Sequence, residues 1–256
     1  MRIVTWNVNS LKARHDFVAA YLDSERPDVL CLQELKLEDS QVPRELFTDR
    51  GYTLAVHGQR QWNGVLIASQ TPLVDVHCGL PNGDEGDARL VAATTAGVRL
   101  VNVYCPQGQS VESPKFQYKL GFFDALIDWL PRTVSASQPG LLLGDLNIAP
   151  QPDDVYNVEA FTNVPTYHPD EHARWARLLD LGFADVSKPW LAPGTYSFWD
   201  YRAGAFSRDN GMRIDHLLAT APLAARVRGS RVLRSWRKNQ GELRASDHAP
   251  VEITIV

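Results

Sequence analysis

Five short stretches of this chain end on, or carry, side chains able to bind a cation or move a proton. RIVTW is followed by Asn7, with Asn9 beyond it, and DVLCLQ by Glu34. LLLG runs into Asp145, with Asn147 two residues on. RIDHLLA carries Asp215 inside an apolar run, and Asp247 and His248 stand just before VEITIV. A rim shared by Glu34, Asp145, Asp215 and Asp247 concentrates negative charge, which is costly unless a cation or a proton shares it. The ligands on offer are oxygens and one imidazole, with no thiolate, which selects Mg2+ or Mn2+ over structural zinc. A hard cation, a histidine and neutral amides suit hydrolysis of a phosphate ester: developing charge is neutralised while a base or orienting group prepares water.

Taken singly, each residue has a plainer reading. Asn-x-Asn after a strand is an ordinary turn, and Gly144-Asp145 a common turn pair. Asp215 can pair with Arg213, since positions i and i+2 share a strand face. Asp247-His248 can simply cap a strand. The chemistry therefore depends on elements that bring these positions to one rim.

Strand-like apolar runs occupy 2–6, 28–33, 52–56, 64–69, 88–95, 98–105, 141–145, 213–219 and 251–256. Several are continuous rather than alternating, as in strands covered on both faces. Phe116, Leu120, Phe123, Ile127 and Leu130 recur at helical spacing, and residues 11–25 give a weaker stripe. Over 169–181, Pro169 suits a first helical position, with Asp170 and Glu171 in the first turn and Gly182 as the stop. Strands at both ends of the chain and helices between them predict an α/β fold of stacked sheets with helices outside.

A chain of 256 residues can bury a large core as one domain, 1–256. Apolar residues at 44% and charged residues at 22% are ordinary for a soluble globular protein. A formal net charge of −4 does not announce a polyanionic partner, but a local basic face can act against it. Three cysteines, Cys31, Cys78 and Cys105, form no C-x-x-C pair and argue for a reducing compartment. No stretch approaches the ~18–20 apolar residues of a membrane span, and MRIVTWNVNS lacks the apolar core of a signal peptide. The expectation is a cytoplasmic protein with no membrane contact, and a monomer, since nothing requires a dimer.

Seven motifs now stand in order: WNVNSLKAR (6–14), LQELK (32–36), YCPQG (104–108), GDLNIAP (144–150), YSFWDYR (196–202), GMRIDHLLA (211–219) and SDHAP (246–250). With them the chain resembles, end to end, the exonuclease III family of abasic-site (AP) endonucleases within the endonuclease/exonuclease/phosphatase superfamily. The resemblance implies a four-layer α/β sandwich, two mainly antiparallel sheets face to face with helices outside. It implies Glu34 as the main Mg2+ ligand, helped by Asn7 and Asp247, with Mn2+ as a substitute. Asp145 is then expected to activate or position water, Asn147 to steady the phosphate, and Tyr104 to contact it. His248 is expected to bond the phosphate, with Asp215 orienting it. Two alternatives stay open: Asp145 or the His248–Asp215 pair as general base, and a second metal on Asp145, Asn147 and His248.

The same resemblance implies a double-stranded DNA substrate carrying abasic sites or 3′ ends. Cleavage 5′ to abasic sites, removal of blocked 3′ ends and 3′–5′ exonuclease action are the expected activities. Phe198, Met212 and Ile214 match positions lining the pocket for a base-less sugar, and Met212 is a more flexible wall than an aromatic. Trp199 and Asn210 belong to the segment expected at the duplex, and Lys115 and Lys119 to phosphate contacts. His168 precedes a helix where Thr-Pro or Leu-Pro is usual; it is either a surface residue at a helix start or a residue that alters which DNA geometry fits. Arg226, Arg228, Arg231, Arg234, Arg237, Lys238 and Arg244 form a basic stretch. It is either a protected sheet edge or a track for the DNA backbone.

Three other readings are carried. One is a family member that keeps 3′-end processing and has lost cleavage at internal abasic sites. Another is an inositol-phosphate or sphingolipid phosphodiesterase on the same fold, against which YCPQG and GMRIDHLLA stand. The last is a non-catalytic DNA-binding module, disfavoured because every expected catalytic position is filled.

Overall fold

The computed structural model describes residues 1–83 and 86–256. Their strands, in chain order, are β1 (Arg2–Asn7), β2 (Val29–Gln33), β3 (Thr53–His57), β4 (Val65–Ser69), β5 (Val74–Cys78) and β6 (Leu90–Thr95). They continue with β7 (Val98–Tyr104), β8 (Gly140–Asp145), β9 (Phe183–Asp185), β10 (Asp215–Thr220), β11 (Val227–Val232) and β12 (Val251–Ile255). The helices are α1 (His15–Glu25), α2 (Glu45–Thr48), α3 (Pro114–Thr133), α4 (Val158–Phe161), α5 (Pro169–Asp180) and α6 (Ala221–Ala224). One sheet has the order β11-β12-β1-β2-β4-β3 and the other β5-β6-β7-β8-β10-β9. Only the β1–β2 and β7–β8 pairings are parallel.

The continuous apolar runs are split by the two-residue period of a strand between two cores. Ile3, Val29, Cys31, Leu141, Leu143, Leu217 and Ile253 point between the sheets. Val4, Trp6, Leu30 and Leu32 point the other way, onto Phe17, Tyr21 and Leu22 of α1. Leu142 and Leu218 point out of the second sheet onto Phe122, Phe123 and Leu126 of α3 and Trp175 and Leu178 of α5. Helix, sheet, sheet and helix thus make four layers. Each fully buried large side chain contributes roughly 1.5–3 kcal/mol.

The expected helices are present with sharper ends. Ser113 caps α3, its side chain accepting from the Lys115 N–H, and Pro114 follows it. Gly182, at φ +93°, lies just past α5 in the left-handed backbone that stops a helix. Strands β5, β9 and β11 have no counterpart among the apolar runs of the sequence. All three are sheet edges or lie next to solvent, so VDVHC and VRGSRV carry charges that a central strand would not.

Topology delivers the rim. Parallel neighbours end together: Asn7 lies opposite Gln33, and Tyr104 opposite Asp145. Antiparallel neighbours begin where these end, so Asp215 lies opposite Asp145. Gln33 and Asn102 close the space between the sheets just beneath, bonded to one another at 2.7 Å.

Candidate active site

Three buried groups form the centre. His248 Nδ1 lies 2.8 Å from Asp215 Oδ2, and its Nε2 lies 3.8 Å from Asp145 Oδ2. Asp215 is held in turn by the Ser197 hydroxyl, which donates to the same Oδ2 at 2.6 Å. Ser197 Oγ also accepts the backbone N–H groups of Ile214 and Asp215. Arg213 does not pair with Asp215; it runs away from the cleft to Asp154 and Asp185, each at 2.7 Å. Phe198 lies against the His248 ring, with centroids 4.9 Å apart.

Beside this centre the Asn7 amide donates to Glu34 Oε1 at 2.8 Å and to Asp145 Oδ2 at 2.9 Å. Lys36 Nζ bonds Glu34 at 2.9 Å and the Asn9 carbonyl oxygen of the side chain at 2.7 Å. Asn9 reaches Asp247 Oδ1 at 3.0 Å, so the two outer carboxylates are joined through Lys36 and Asn9. Ser246 ties the last segment to the first by donating to the Asn7 carbonyl at 2.7 Å. Tyr104 is half-buried at the end of β7, with the Arg89 guanidinium 5.1 Å over its ring. Asn147 donates from its side chain to the Cys105 carbonyl at 2.9 Å, and its N–H to Asp145 Oδ1 at 3.0 Å.

The backbone here is unusual. Asn9, Glu34, Lys36 and Asn147 all have positive φ, at 44°, 54°, 55° and 51°. Asn tolerates that region because its short polar side chain bonds locally. Glu and Lys do so at a cost, and such strain gathers at functional sites.

Charge balance makes the site a proton and cation device. Burial raises the Asp145 carboxyl; His248 opposes and Asp215 and Glu34 add, and the result is pushed up to about 7. Burial works against a charge on His248, but Asp215 and Asp145 outweigh it and push the imidazole up to about 10. Burial also works against the Glu34 charge, yet Lys36 and Asn7 keep its carboxyl below the ordinary value. Burial, then Glu34 and Asp145, hold the Tyr104 phenol firmly protonated. Asp215 Oδ1 is buried with no hydrogen-bond partner. Asp145, Asp215 and His248 present ligand atoms within 4.8 Å of one another. Glu34 is held here by the Asn7 amide and the Lys36 ammonium, and the ligand atoms that Glu34, Asn7, Asp145 and Asp247 can offer are oxygens, which fit a hard divalent cation and not a thiolate metal.

The cleft thus gathers Asn7, Glu34, Tyr104, Asp145, Asn147, Asp215, Asp247 and His248. Of the residues expected at DNA, Phe198, Asn210 and Met212 are partly exposed, Met212 bridging to Phe198, while Ile214 is buried behind them. Lys115 is exposed near the start of α3. Trp199 is buried, its indole N–H on Asp209 at 2.9 Å. Lys119 is placed elsewhere than at a phosphate. It is 0% exposed, paired with Glu171, also 0% exposed, and donates to the Asn147 carbonyl at 2.7 Å. It supports the catalytic loop from behind. His168 caps α5: its Nδ1 accepts from the Asp170 N–H at 3.2 Å, and its ring meets Phe116 edge-on at 5.0 Å.

Most of the basic stretch is spent internally. Arg226 and Arg228 bond nearby carbonyls, Arg231 pairs with Glu252, and Arg234 pairs with Asp209 between the Trp199 and Phe206 rings. Sequence reasoning passed over Ser197, Lys36 and Ser246, which lie inside the motifs but reach partners in other segments, Asp215, Asn9 and Asn7. It also passed over Arg89 and over Trp62, which is 69% exposed on the loop before β4, and neither carries a local signal.

Comparisons with known proteins bear on the family and the fold. The sequence pattern of the Endonuclease/Exonuclease/phosphatase family matches residues 4–248. Exodeoxyribonuclease III of Haemophilus influenzae is 33% identical over 98% of this chain and 98% of its own. The 3′ phosphatase NExo from Neisseria, solved bound to a product DNA hairpin, superposes with a TM-score of 0.95. It is 38% identical, covering 100% of this chain and 99% of that one. An AP endonuclease from Archaeoglobus fulgidus superposes at 0.94 with 36% identity, over 100% of this chain and 99% of its own.

Proposed function

The chain belongs to the endonuclease/exonuclease/phosphatase family, in its exonuclease III and AP endonuclease branch, and from that membership we propose how its cleft cuts DNA. The protein is a DNA-cleaving hydrolase of the DNA-repair phosphodiesterase type. The observation that carries the mechanism is the buried Asp145–His248–Asp215 array beside Glu34.

Glu34, with Asn7 and Asp247, would hold Mg2+, with Mn2+ as a substitute, and the cation when bound supplies charge neutralisation at the phosphate. Asp145 accepts a proton from the attacking water, for which a carboxyl raised to about 7 is well matched. Oxygen of that water bonds to phosphorus, the bond from phosphorus to the 3′ oxygen breaks, and the departing 3′ alkoxide takes a proton from solvent. His248 enters protonated, its Nδ1 proton on Asp215, and donates from Nε2 to a phosphate oxygen. That favours Asp145 over the His248–Asp215 pair as general base. Tyr104 contacts the same phosphate, and Asn147 steadies it from a rigid loop.

Cleavage 5′ to an abasic site, release of a 3′ phosphate and 3′–5′ exonuclease action all break this one kind of bond. They differ only in what hangs beyond it. The wall of Phe198 and Met212, backed by the buried Ile214, would meet the base-less sugar. The balance between internal abasic sites and 3′ ends rests on residues beside the cleft, His168 among them. Nothing in the cleft favours an inositol or sphingolipid phosphate.

The test is a panel of labelled duplexes: internal abasic site, 3′-phosphate nick, recessed 3′ end and a single strand, each with Mg2+ and with EDTA. Metal-dependent cutting of at least one duplex is expected. Hydrolysis of a soluble inositol phosphate with every DNA left intact would reverse the reading.

A further inference from the structure

Residues 200–207 and 237–245 enclose a second cavity of about 580 Å3, separate from the residues that perform hydrolysis. Its lining includes Arg14, Tyr201, Phe206, Arg237, Asn239 and Arg244. Arg237 is only 7% exposed, and among the described residues no carboxylate comes within ion-pair distance of it. Its Nε and Nη2 donate to the carbonyls of Asp247 at 3.1 Å and Trp199 at 2.8 Å, while its guanidinium lies 5.0 Å from the Tyr201 ring and 5.1 Å from that of Phe206. Arg14 lies 5.9 Å from the same Tyr201 ring and donates from Nη2 to its hydroxyl at 2.7 Å, while its Nε is buried with no partner. Arg244 is exposed and pairs with no described residue. The acid in the lining, Asp200, is spent on Arg202 at 2.7 Å.

Two arginines thus share one ring, a third stands at the mouth, and none has an anionic partner. Arginine forks match phosphate oxygens in geometry as well as charge.

We propose that this cavity is a phosphate-binding subsite for DNA, formed by Arg14, Arg237 and Arg244 and separate from the scissile position. The proposal rests on the DNA-cleaving reading above. Its place supports a DNA phosphate over a free one. Arg14 donates to the Asn9 carbonyl at 2.6 Å, Asn9 reaches Asp247 at 3.0 Å, and Arg237 holds the Asp247 carbonyl. The subsite is therefore one residue removed from the metal side of the cleft. The phosphate is either a diester of the continuous strand or a terminal 5′ phosphate at a nick.

Arg244→Ala and Arg244→Glu test it, because Arg244 is exposed and outside the catalytic groups. Binding of two nicked duplexes, one with a 5′ phosphate and one with a 5′ hydroxyl at the nick, is followed by fluorescence anisotropy across a salt series in EDTA. Loss of one phosphate contact weakens binding by about tenfold at low salt and reduces the slope of log affinity against log salt by about 0.9. An equal effect on both duplexes identifies a backbone diester; an effect confined to the phosphorylated nick identifies the terminal group. Wild-type slopes in both variants on both duplexes overturn the subsite, as does weaker binding with an unchanged slope. If wild type neither binds nor, with Mg2+, cuts duplex DNA, the functional reading falls as well. If it cuts DNA but the slopes are unmoved, the subsite alone falls.

Discussion

His248 is anchored through Nδ1 by Asp215, 33 residues earlier and 2.8 Å away, and not by its neighbour Asp247. The pair raises the imidazole to about 10 against burial. The sign of the linkage is fixed: stability from this pair is full below about pH 6.5, the free imidazole value, and is lost as pH rises through about 10. Asp215→Asn should bring the imidazole down into the neutral range and slow turnover by about 100- to 10,000-fold. An NMR titration of the His248 ring checks the first, and single-turnover cleavage the second. A ring still protonated at pH 9 in the variant would refute the assignment.

The rate should also fall on the acid side as Asp145 gains its proton. Its raised carboxyl places that limb at or below about pH 7, since a bound cation pulls the value down. Asp145→Asn should abolish cleavage while leaving DNA binding within a few-fold. A variant that cuts at wild-type rates would remove Asp145 from the mechanism.

Glu34→Ala should nearly abolish activity with the fold intact. A lost metal contact is worth several kcal/mol in the transition state, and 1.36 kcal/mol is tenfold in rate. Calorimetric titration with Mg2+ should show the loss of binding directly, and circular dichroism should match wild type. Normal turnover would sink the metal assignment.

His168→Gly separates two roles. As the cap of α5 its loss costs a few tenths to about 1 kcal/mol, read in a thermal melt. If it also shapes the DNA path, the ratio of cleavage at an internal abasic site to release of a 3′ phosphate should change. Equal ratios in the two proteins would leave only the capping role.

Lys119→Met leaves the Glu171 carboxylate buried without its ammonium and should destabilise the protein by about 3–5 kcal/mol. Replacing both members, Lys119→Met with Glu171→Gln, which keeps a neutral acceptor for the Thr166 and His168 N–H groups, should recover part of that stability but not the rate, because the Asn147 carbonyl still lacks its donor. Full recovery of kcat in the double variant would mean that Lys119 does not position Asn147.

The sequence showed the central strands and the polar residues that meet at one rim, because both follow from where the apolar runs end. An apolar run such as LLLGD must be covered on both faces, and its terminal Asp145 must then sit at a rim. It did not show β5, β9 or β11, since an edge strand is free to carry charge. Nor did it separate surface from interior for basic residues. Lys119 and Arg234 look like phosphate ligands by type, yet one is buried on Glu171 and the other is paired with Asp209 over two aromatic rings. Ser197 and Lys36 act through partners fixed only by the folded chain, and a positive φ at Glu34 or Asn147 leaves no mark in composition.

The strand that carries Asn7 lies between β2 and β12, and Asp247 and His248 immediately precede β12. A ribosome reads the chain in one direction, so Asn7 emerges some 240 residues before the segment that completes its site. Glu34 and then Asp145 are made within that interval, and His248 comes after both. The imidazole that Asp215 holds is the last of the cleft's side chains to be made, so the rim closes only when the end of the chain folds back beside its beginning.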